Sequence, residues 1–297
     1  MVPAEDTNAY CRSCRLNRVI PNLSTPRNRV LWFRIEQAKR RLIYGILALG
    51  LPLVGREQDP LNGLAFEFLE DTRSGVEFSA DIGQPNRVMT GHNQGVITVN
   101  ISEADPIARE EARETLREQY RTLLGHFRHE IGHYYWDRLV RNTDWLAVFR
   151  EQFGDESADY DQALARYYSQ GPPPDWEASF ISMYASSHPW EDWGETWSHY
   201  LHMFMTLETA YEYGFAIRGQ EIGHPREHLA PDALPATDGV DAFEDMINNW
   251  IKLTQGMNAF NRSMGLPDAY PFALSPPVVE KLRMVHQIIC EHVQDRA

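Results

Sequence analysis

The segment Tyr120–Val140, YRTLLGHFRHEIGHYYWDRLV, decides the fold of this chain and contains the pattern His-Glu-x-x-His at residues 129–133. Its apolar residues recur at spacings of three and four, which predicts an amphipathic helix. Side chains four apart on a helix are neighbours, about 5–6 Å between Cβ atoms, so His129 and His133 can share one tetrahedral Zn²⁺. Glu130 points about 100° round the helix from His129, within reach of a metal-bound water whose proton it can take. The segment therefore predicts two zinc ligands and a general base.

Composition limits the class of protein. A chain of 297 residues, 43% of them hydrophobic, is long enough for one large core or for two lobes around a cleft. Its 42 acidic against 28 basic side chains give a net charge of −14, which argues against nucleic acid or an anionic membrane as the main partner. The apolar run Leu42–Val54 is too short to span a membrane, because a spanning helix needs about 20 residues. With three cysteines and no apolar leader at the start, we expect a cytoplasmic protein.

Periodicity predicts an α+β protein. Residues 1–25 include Cys11 and Cys14, which supply half of the four ligands that a structural zinc needs; either the other half is absent from the chain or the two thiols are free, so no metal is assigned there. Residues 26–297 are expected to form one zincin-like domain. It comprises a small mixed sheet in an N-terminal lobe (26–140), a predominantly helical C-terminal lobe (141–297), and the active-site cleft between them.

The individual elements follow from the same patterns. Alternating hydrophobicity predicts strands at 64–70, 76–80, 87–90 and 95–101, separated by turns. Helical patterns occur at 28–50, 105–117, 176–185, 189–212, 240–264 and 276–293. The acidic stretch at 155–161 lacks the ligand spacing of a calcium loop and is interpreted as a surface loop. Strand 95–101 is either a plain sheet strand or an edge that binds an extended peptide.

A catalytic zinc needs a third protein ligand. The metzincin pattern is excluded, because Trp136 and Leu139 occupy the places of its glycine and third histidine. The predicted helix in SHPWEDWGETWSHYLH (187–202) carries a polar face instead. Its members are His188, Glu191, Asp192, Glu195, Ser198, His199 and His202. Glu195, in the middle of that helix, is the preferred ligand.

The gluzincin pattern Asn-Glu-x-x-x-Asp fits this helix with two departures, Gly194 for the asparagine and His199 for the aspartate. Glu191 or Asp192 is therefore expected to orient a ligand histidine, and either one would replace Glu195 if that residue proved not to bind zinc.

A donor for the developing oxyanion is also required. The candidates are Tyr184, His188, His199 and Tyr270, with Tyr184 and His188 preferred because they precede the ligand helix. His126 is expected on the metal-facing side of its helix, where it either supports the site or is an ordinary packed histidine. His92 falls in a predicted turn and is expected at the surface.

The segments LLGHFRHEIGHYYW, SHPWEDWGETWSHYLHM and NRSMGLPDAYPFALSP together resemble the bacterial zinc-binding metallopeptidases that carry an N-terminal zinc ribbon. The similarity runs from about Tyr10 to His286. It implies zinc ligands at His129, His133 and Glu195, with Glu130 as the general base. It also implies that the other cysteines of the ribbon would precede Met1, so residues 1–25 are expected to be the remnant of such a segment.

Three classes of function remain open on these grounds. The favoured one is a zinc peptidase acting on a peptide or protein. The others are a zinc hydrolase of a non-peptide amide and a non-catalytic zinc-binding protein. The presence of Glu130 disfavours the last of these, because a site that only binds metal has no need of a base.

Overall fold

The computed structural model describes residues 8–71, 88, 90–115, 121–217, 219–229 and 241–294. The chain divides into two units, Met1–Tyr134 and Tyr135–Ala297. The division falls inside one helix. The predicted strand at 76–80 lies outside the described residues.

A four-stranded mixed sheet of order β1-β2-β4-β3 organises the first unit. The strands are β1 (Asn17–Val19), β2 (Ala65–Leu69), β3 (Gly91–Asn93) and β4 (Val96–Asn100). β2 pairs in parallel with both β1 and β4, and β3 pairs antiparallel to β4. The sheet is thus small and mixed, as the sequence predicted, and parallel pairing dominates it.

The hairpin β3–β4 corrects two details of the sequence analysis. Residues 91–93, assigned to a turn, form a strand, and the connection contains only Gln94 and Gly95, with φ values of 46° and 81°. Positive φ at both central residues is typical of the tight type I′ turn that suits a hairpin. At Gly95 a Cβ would lie 2.4 Å from the carbonyl oxygen of Asn62, so the close approach of that loop also requires glycine.

β4 is an interior strand. It has β2 on one side along Val96–Asn100 and β3 on the other along Val96–Thr98. Residues Val96–Thr98 are therefore flanked by a strand on both sides. The hypothesis that an extended peptide binds to an open edge of this strand is wrong.

Three helices accompany the sheet. α1 (Pro26–Ala48) connects β1 to β2, the crossover that a parallel pair requires, and α2 (Pro106–Thr115) follows the sheet. α3 (Leu123–Leu139) begins in this unit, where Phe127 packs its ring against Phe66 and Phe68 at centroid distances of 5.8 and 6.3 Å. Aromatic contact therefore fixes the first half of α3 on the sheet.

The second unit is helical, as predicted. It contains the end of α3, α4 (Trp145–Phe153), α5 (Tyr160–Gln170), α6 (Pro189–Glu212), α7 (Ala242–Ser263) and α8 (Pro276–Gln294), with a short hairpin of β5 (Ala216–Ile217) and β6 (Gln220–Glu221). α6, α7 and α8 confirm the predicted segments to within two residues. The predicted helix 176–185 is wrong, because that stretch forms 3₁₀ turns at Trp176–Ala178 and Tyr184–Ser187. α5 begins inside the stretch that was interpreted as a surface loop.

α6 is the central helix of this unit, since 17 of its 24 residues are buried. Tyr135, in the last part of α3, stacks on Trp197 with ring centroids 5.1 Å apart. Its neighbour Trp136 meets Trp190 edge-on at 4.8 Å. The second half of α3 is thereby packed on α6. Within the described residues, no helix is both long and apolar enough to cross a membrane.

Candidate metal centre

The His-Glu-x-x-His segment is buried on α3. The relative exposures of His129, Glu130 and His133 are 6%, 5% and 3%. The two Nε2 atoms of the histidines lie 3.1 Å apart. Zn–N bonds of about 2.0–2.1 Å in tetrahedral geometry separate two ligand nitrogens by about 3.3–3.4 Å. The two nitrogens are therefore slightly closer than one zinc ion requires, and a small movement of either ring would let both bind the same ion.

His92 lies beside this pair, a placement that the sequence analysis missed. Its ring is 6.4 Å from that of His133 and 6.4 Å from that of Tyr134, measured between centroids. Its Nε2 accepts a hydrogen bond of 3.0 Å from the backbone N–H of Gly95. His92 was expected at the surface of a turn, and it is half-buried in β3 instead. Only the pairing of β3 with β4 reveals this, because the local sequence contains no signal for it.

Glu191 completes a group of three potential ligands. One ligand atom from each of His129, His133 and Glu191 can be chosen so that all lie within 4.8 Å of one another, and all three residues are buried. Glu191 lies in the first turn of α6, where the helix dipole favours a carboxylate. The hydroxyl of Tyr160, in α5, donates a hydrogen bond of 2.6 Å to its Oε1 and so restrains the side chain.

Glu195, the preferred third ligand in the sequence analysis, does not belong to this group. Its Oε2 accepts a hydrogen bond of 2.7 Å from the hydroxyl of Ser182. Glu191 and Glu195 are one turn apart and share a helix face, so helical periodicity could not choose between them. Glu191, expected in a supporting role, is the one that groups with the two histidines, and which of the two glutamates binds a metal stays a prediction.

Asp192 does not orient a ligand histidine as was expected. Its Oδ2 is 2.6 Å from the ammonium group of Lys281 in α8, and both side chains are buried. Burial raises the pKa of Asp192 to about 7, against the opposing effect of Lys281. The same ammonium donates to the carbonyl oxygen of Ser179 at 2.7 Å. The pair of Asp192 and Lys281 therefore connects α6 to α8, and Lys281 also connects α8 to the segment that precedes α6.

His188 is the N-cap of α6, and its role as an oxyanion donor stays a prediction. Its Nδ1 accepts the backbone N–H of Trp190 at 3.0 Å, and its Nε2 lies 3.1 Å from the carbonyl oxygen of Ala158. Because Nδ1 accepts, Nε2 is the protonated nitrogen of the neutral ring and donates to that carbonyl. Both nitrogens therefore stabilise local structure.

The other predicted supporting residues occupy different surroundings. Tyr184 is half-buried in the turn before α6, with its ring edge-on to Tyr167 at 5.9 Å. His199 is buried and its Nδ1 lies 2.8 Å from the hydroxyl of Tyr270. His126 lies one turn before Glu130 on α3, and its Nε2 is 3.8 Å from the Oε1 of that carboxylate. The oxyanion role of Tyr184 stays a prediction.

Two buried imidazoles and a buried carboxylate form a group that could hold a metal ion, and a glutamate lies next to the first histidine in the chain. Comparison with known families agrees with this chemistry. Residues 28–288 match the family described as "Putative zinc-binding metallo-peptidase". Since the match covers most of the chain, the protein belongs to this family, as the resemblance in its sequence had indicated.

Three curated relatives extend the comparison. They are uncharacterized proteins of Mycobacterium bovis and of two strains of Mycobacterium tuberculosis, each 43% identical to this chain over 296 residues. The aligned region covers 99% of this chain and 80% of each relative. No solved structure matches the chain.

Proposed function

We propose that this protein is a zinc-dependent peptidase with His129, His133 and Glu191 as metal ligands and Glu130 as general base. The observation that carries the proposal is the close grouping of the three ligand atoms, with Glu130 next to His129 in the chain. Two imidazole nitrogens and one carboxylate oxygen are a donor set known from catalytic zinc sites, which keep a fourth position for water or substrate. The zincin-like form of the fold and a cytoplasmic location belong to the same proposal.

The protein groups have distinct tasks in the proposed reaction. When bound, zinc lowers the pKa of water and polarises a carbonyl group. Glu130 takes one proton from the attacking water and returns it to the nitrogen of the leaving amine, so that the amide bond is replaced by a carboxylic acid and an amine. Tyr160 holds the carboxylate of Glu191 in its orientation through the 2.6 Å hydrogen bond. Such support from beyond the ligands is typically worth a factor of about 10–100 in metal affinity or activity.

The general base is tested with Glu130→Gln. We expect the variant to retain zinc at one ion per chain and to lose cleavage of a peptide library by a factor of about 10² to 10⁴, the usual contribution of a positioned base. Chelator-treated wild type serves as the inactive reference. Undiminished cleavage by the variant would exclude Glu130 as the base, and a wild type with bound zinc that cleaves no peptide would refute the peptidase assignment.

The third ligand is tested by comparing Glu191→Gln with Glu195→Gln. The zinc affinity of each purified variant is measured by competition with a chromophoric chelator. We expect Glu191→Gln to weaken zinc binding more than 100-fold, because it removes a ligand, whereas Glu195→Gln should cost about 10–100-fold or less, as for a residue beyond the ligands. Glu212→Gln, at the exposed end of the same helix, is the matched control. The reverse order of affinities would restore Glu195 as the ligand.

A further inference from the structure

A chain of charged groups leads from the sheet of the first unit to the proposed general base. The ring of His126 faces two carboxylates: its Nδ1 is 3.5 Å from Oε2 of Glu103, and its Nε2 is 3.8 Å from Oε1 of Glu130. The side chains of the two glutamates are 13% and 7% exposed, and that of His126 is 26% exposed. These are ion-pair distances in a largely desolvated place, where charges interact more strongly than at the surface.

Glu103 is fixed at the start of this chain. It lies in the 3₁₀ turn Ile101–Ala104 that follows β4, and Arg109 donates a hydrogen bond of 2.9 Å to its backbone carbonyl. The guanidinium of Arg121 lies 3.2 and 3.3 Å from its two carboxylate oxygens. Backbone and side chain of Glu103 are thus both restrained, so it can hold an imidazole in one orientation.

The charges around His126 favour its doubly protonated ring. Burial disfavours the imidazolium, but Glu103 outweighs that effect and raises the pKa of His126, with a smaller contribution from Glu130 and opposition from Arg121. Burial likewise opposes ionisation of Glu103, yet His126 and Arg121 lower the pKa of this carboxyl to about 2. Only the imidazolium has an N–H on both nitrogens. A neutral ring that donated to Glu103 would present a bare nitrogen to Glu130.

We propose that His126 is a positioning residue for Glu130, and that Glu103 keeps His126 in the orientation and protonation state that this task needs. The imidazolium faces Oε1 of Glu130 across 3.8 Å, and the attraction between the two charges limits rotation of the carboxylate that takes the proton from water. Restricted rotation matters because a general base must lie within hydrogen-bond reach of the proton that it removes. This inference rests on the role of Glu130 in the proposed function.

The first measurement needs no activity. Histidine NMR spectra of the zinc-free and zinc-loaded protein are titrated, and the pKa of His126 is compared among wild type, Glu103→Gln, Glu130→Gln and Glu110→Gln. Glu110 is an exposed glutamate of α2 that pairs with Arg113, so its variant is the matched control. We expect the pKa of His126 to fall in Glu103→Gln, to fall less in Glu130→Gln and to be unchanged in the control. An unchanged pKa in both test variants would overturn the proposed chain.

The second measurement separates positioning from metal binding. His126→Ala should retain one zinc per chain and an unaltered KM, with kcat reduced about 10–100-fold, the usual cost of losing an orienting group. His126→Gln, which places an amide N–H near the position of Nε2, should recover part of that loss. In Glu103→Gln the alkaline limb of kcat should move to lower pH, because His126 then loses its proton at lower pH.

The outcomes separate this inference from the proposed function. If wild type cleaves peptides and zinc-loaded, folded His126→Ala retains kcat within twofold, the positioning role is wrong and the peptidase assignment stands. If wild type cleaves nothing, the peptidase assignment fails, and the NMR titrations alone decide whether Glu103, His126 and Glu130 are linked. If His126→Ala does not fold, the kcat of Glu103→Gln and of His126→Gln decides instead.

Discussion

Replacing Lys281 with methionine should destabilise this protein strongly. The ammonium group lies 2.6 Å from Asp192 and 2.7 Å from the carbonyl oxygen of Ser179, and 4.5 Å from the centre of the ring of Phe180. Asp192 is fully buried and Lys281 is 5% exposed. Methionine preserves most of the apolar stem, so the substitution removes the charge and its hydrogen bonds with little change in packing.

The expected loss follows from leaving one buried charge without its partner. Such changes cost about 3–5 kcal/mol, and in a chain of this size each kcal/mol lowers Tm by about 2–4 °C. The Tm of Lys281→Met should therefore fall by about 6–20 °C at pH 8. Burial raises the pKa of Asp192 to about 7 even beside Lys281, and removal of that ammonium raises it further, so the carboxyl of the variant becomes protonated as the pH falls. The difference between variant and wild type should accordingly shrink towards pH 5.

The assay is thermal and urea unfolding followed by tryptophan fluorescence and far-UV circular dichroism. Lys252→Met, at an exposed position of α7, is the control and should change the free energy of unfolding by no more than about 0.5 kcal/mol. Combining Lys281→Met with Asp192→Leu should recover most of the loss, because an apolar pair of similar volume leaves no orphaned charge. A loss below about 1 kcal/mol in the single variant would refute the argument.

Three further outcomes are expected. The pKa of Glu103 is lowered to about 2, so its ionised carboxylate stabilises the folded state above pH 4.5, and this stabilisation is lost as the pH falls towards 2. In urea titrations, Glu103→Gln should therefore remove about 3 kcal/mol of the pH dependence of the free energy of unfolding. His188→Ala should lower the free energy of unfolding by about 1 kcal/mol, because the N-cap of α6 is lost. His188→Asn should keep both the cap and kcat, and a large drop in kcat in this folded variant would support a role of His188 in the reaction. The thiols of Cys11 and Cys14 lie 3.4 Å apart, and Oε2 of Glu36 is 3.9 Å from the sulfur of Cys14. Among the described residues, however, these side chains do not form a group of three spaced to hold a metal, so replacing both cysteines with serine should leave zinc at one ion per chain by elemental analysis.

The long helices were predictable because each carries a local signal. α6 begins at Pro189 and α8 at Pro276, and proline is favoured in the first turn of a helix. The stretch 176–185 has a helical pattern as well, yet it forms only 3₁₀ turns. The carbonyl oxygen of Ser179 accepts a hydrogen bond from Lys281, and the hydroxyl of Ser182 donates one to Glu195. These tertiary contacts hold the stretch in an irregular conformation. Such contacts outweigh propensity, which is worth only a few tenths of a kcal/mol per residue.

The sheet and the proposed third ligand show a different limit of sequence-based prediction. Alternating hydrophobicity identified β2 and β4, but it could not show that they pair in parallel with each other, or that β3 covers the outer side of β4. Likewise, Glu191 and Glu195 have the same chemistry and lie on one face of α6. Which of the two glutamates lies near the histidines depends on how the helices pack, and the spacing of residues along α6 does not determine that packing.

The sequence by itself indicates the chemistry that is proposed for the centre. The spacing of His129, Glu130 and His133 sets their geometry within one helix, because four residues make about one turn and the backbone hydrogen bonds fix that relation. Only the tertiary structure shows which distant residues lie near this segment of α3. Glu191, His92 and Glu103 are distant in the chain, and their places follow from aromatic packing, strand pairing and buried ion pairs. Those interactions connect residues of large sequence separation, so no local pattern records them.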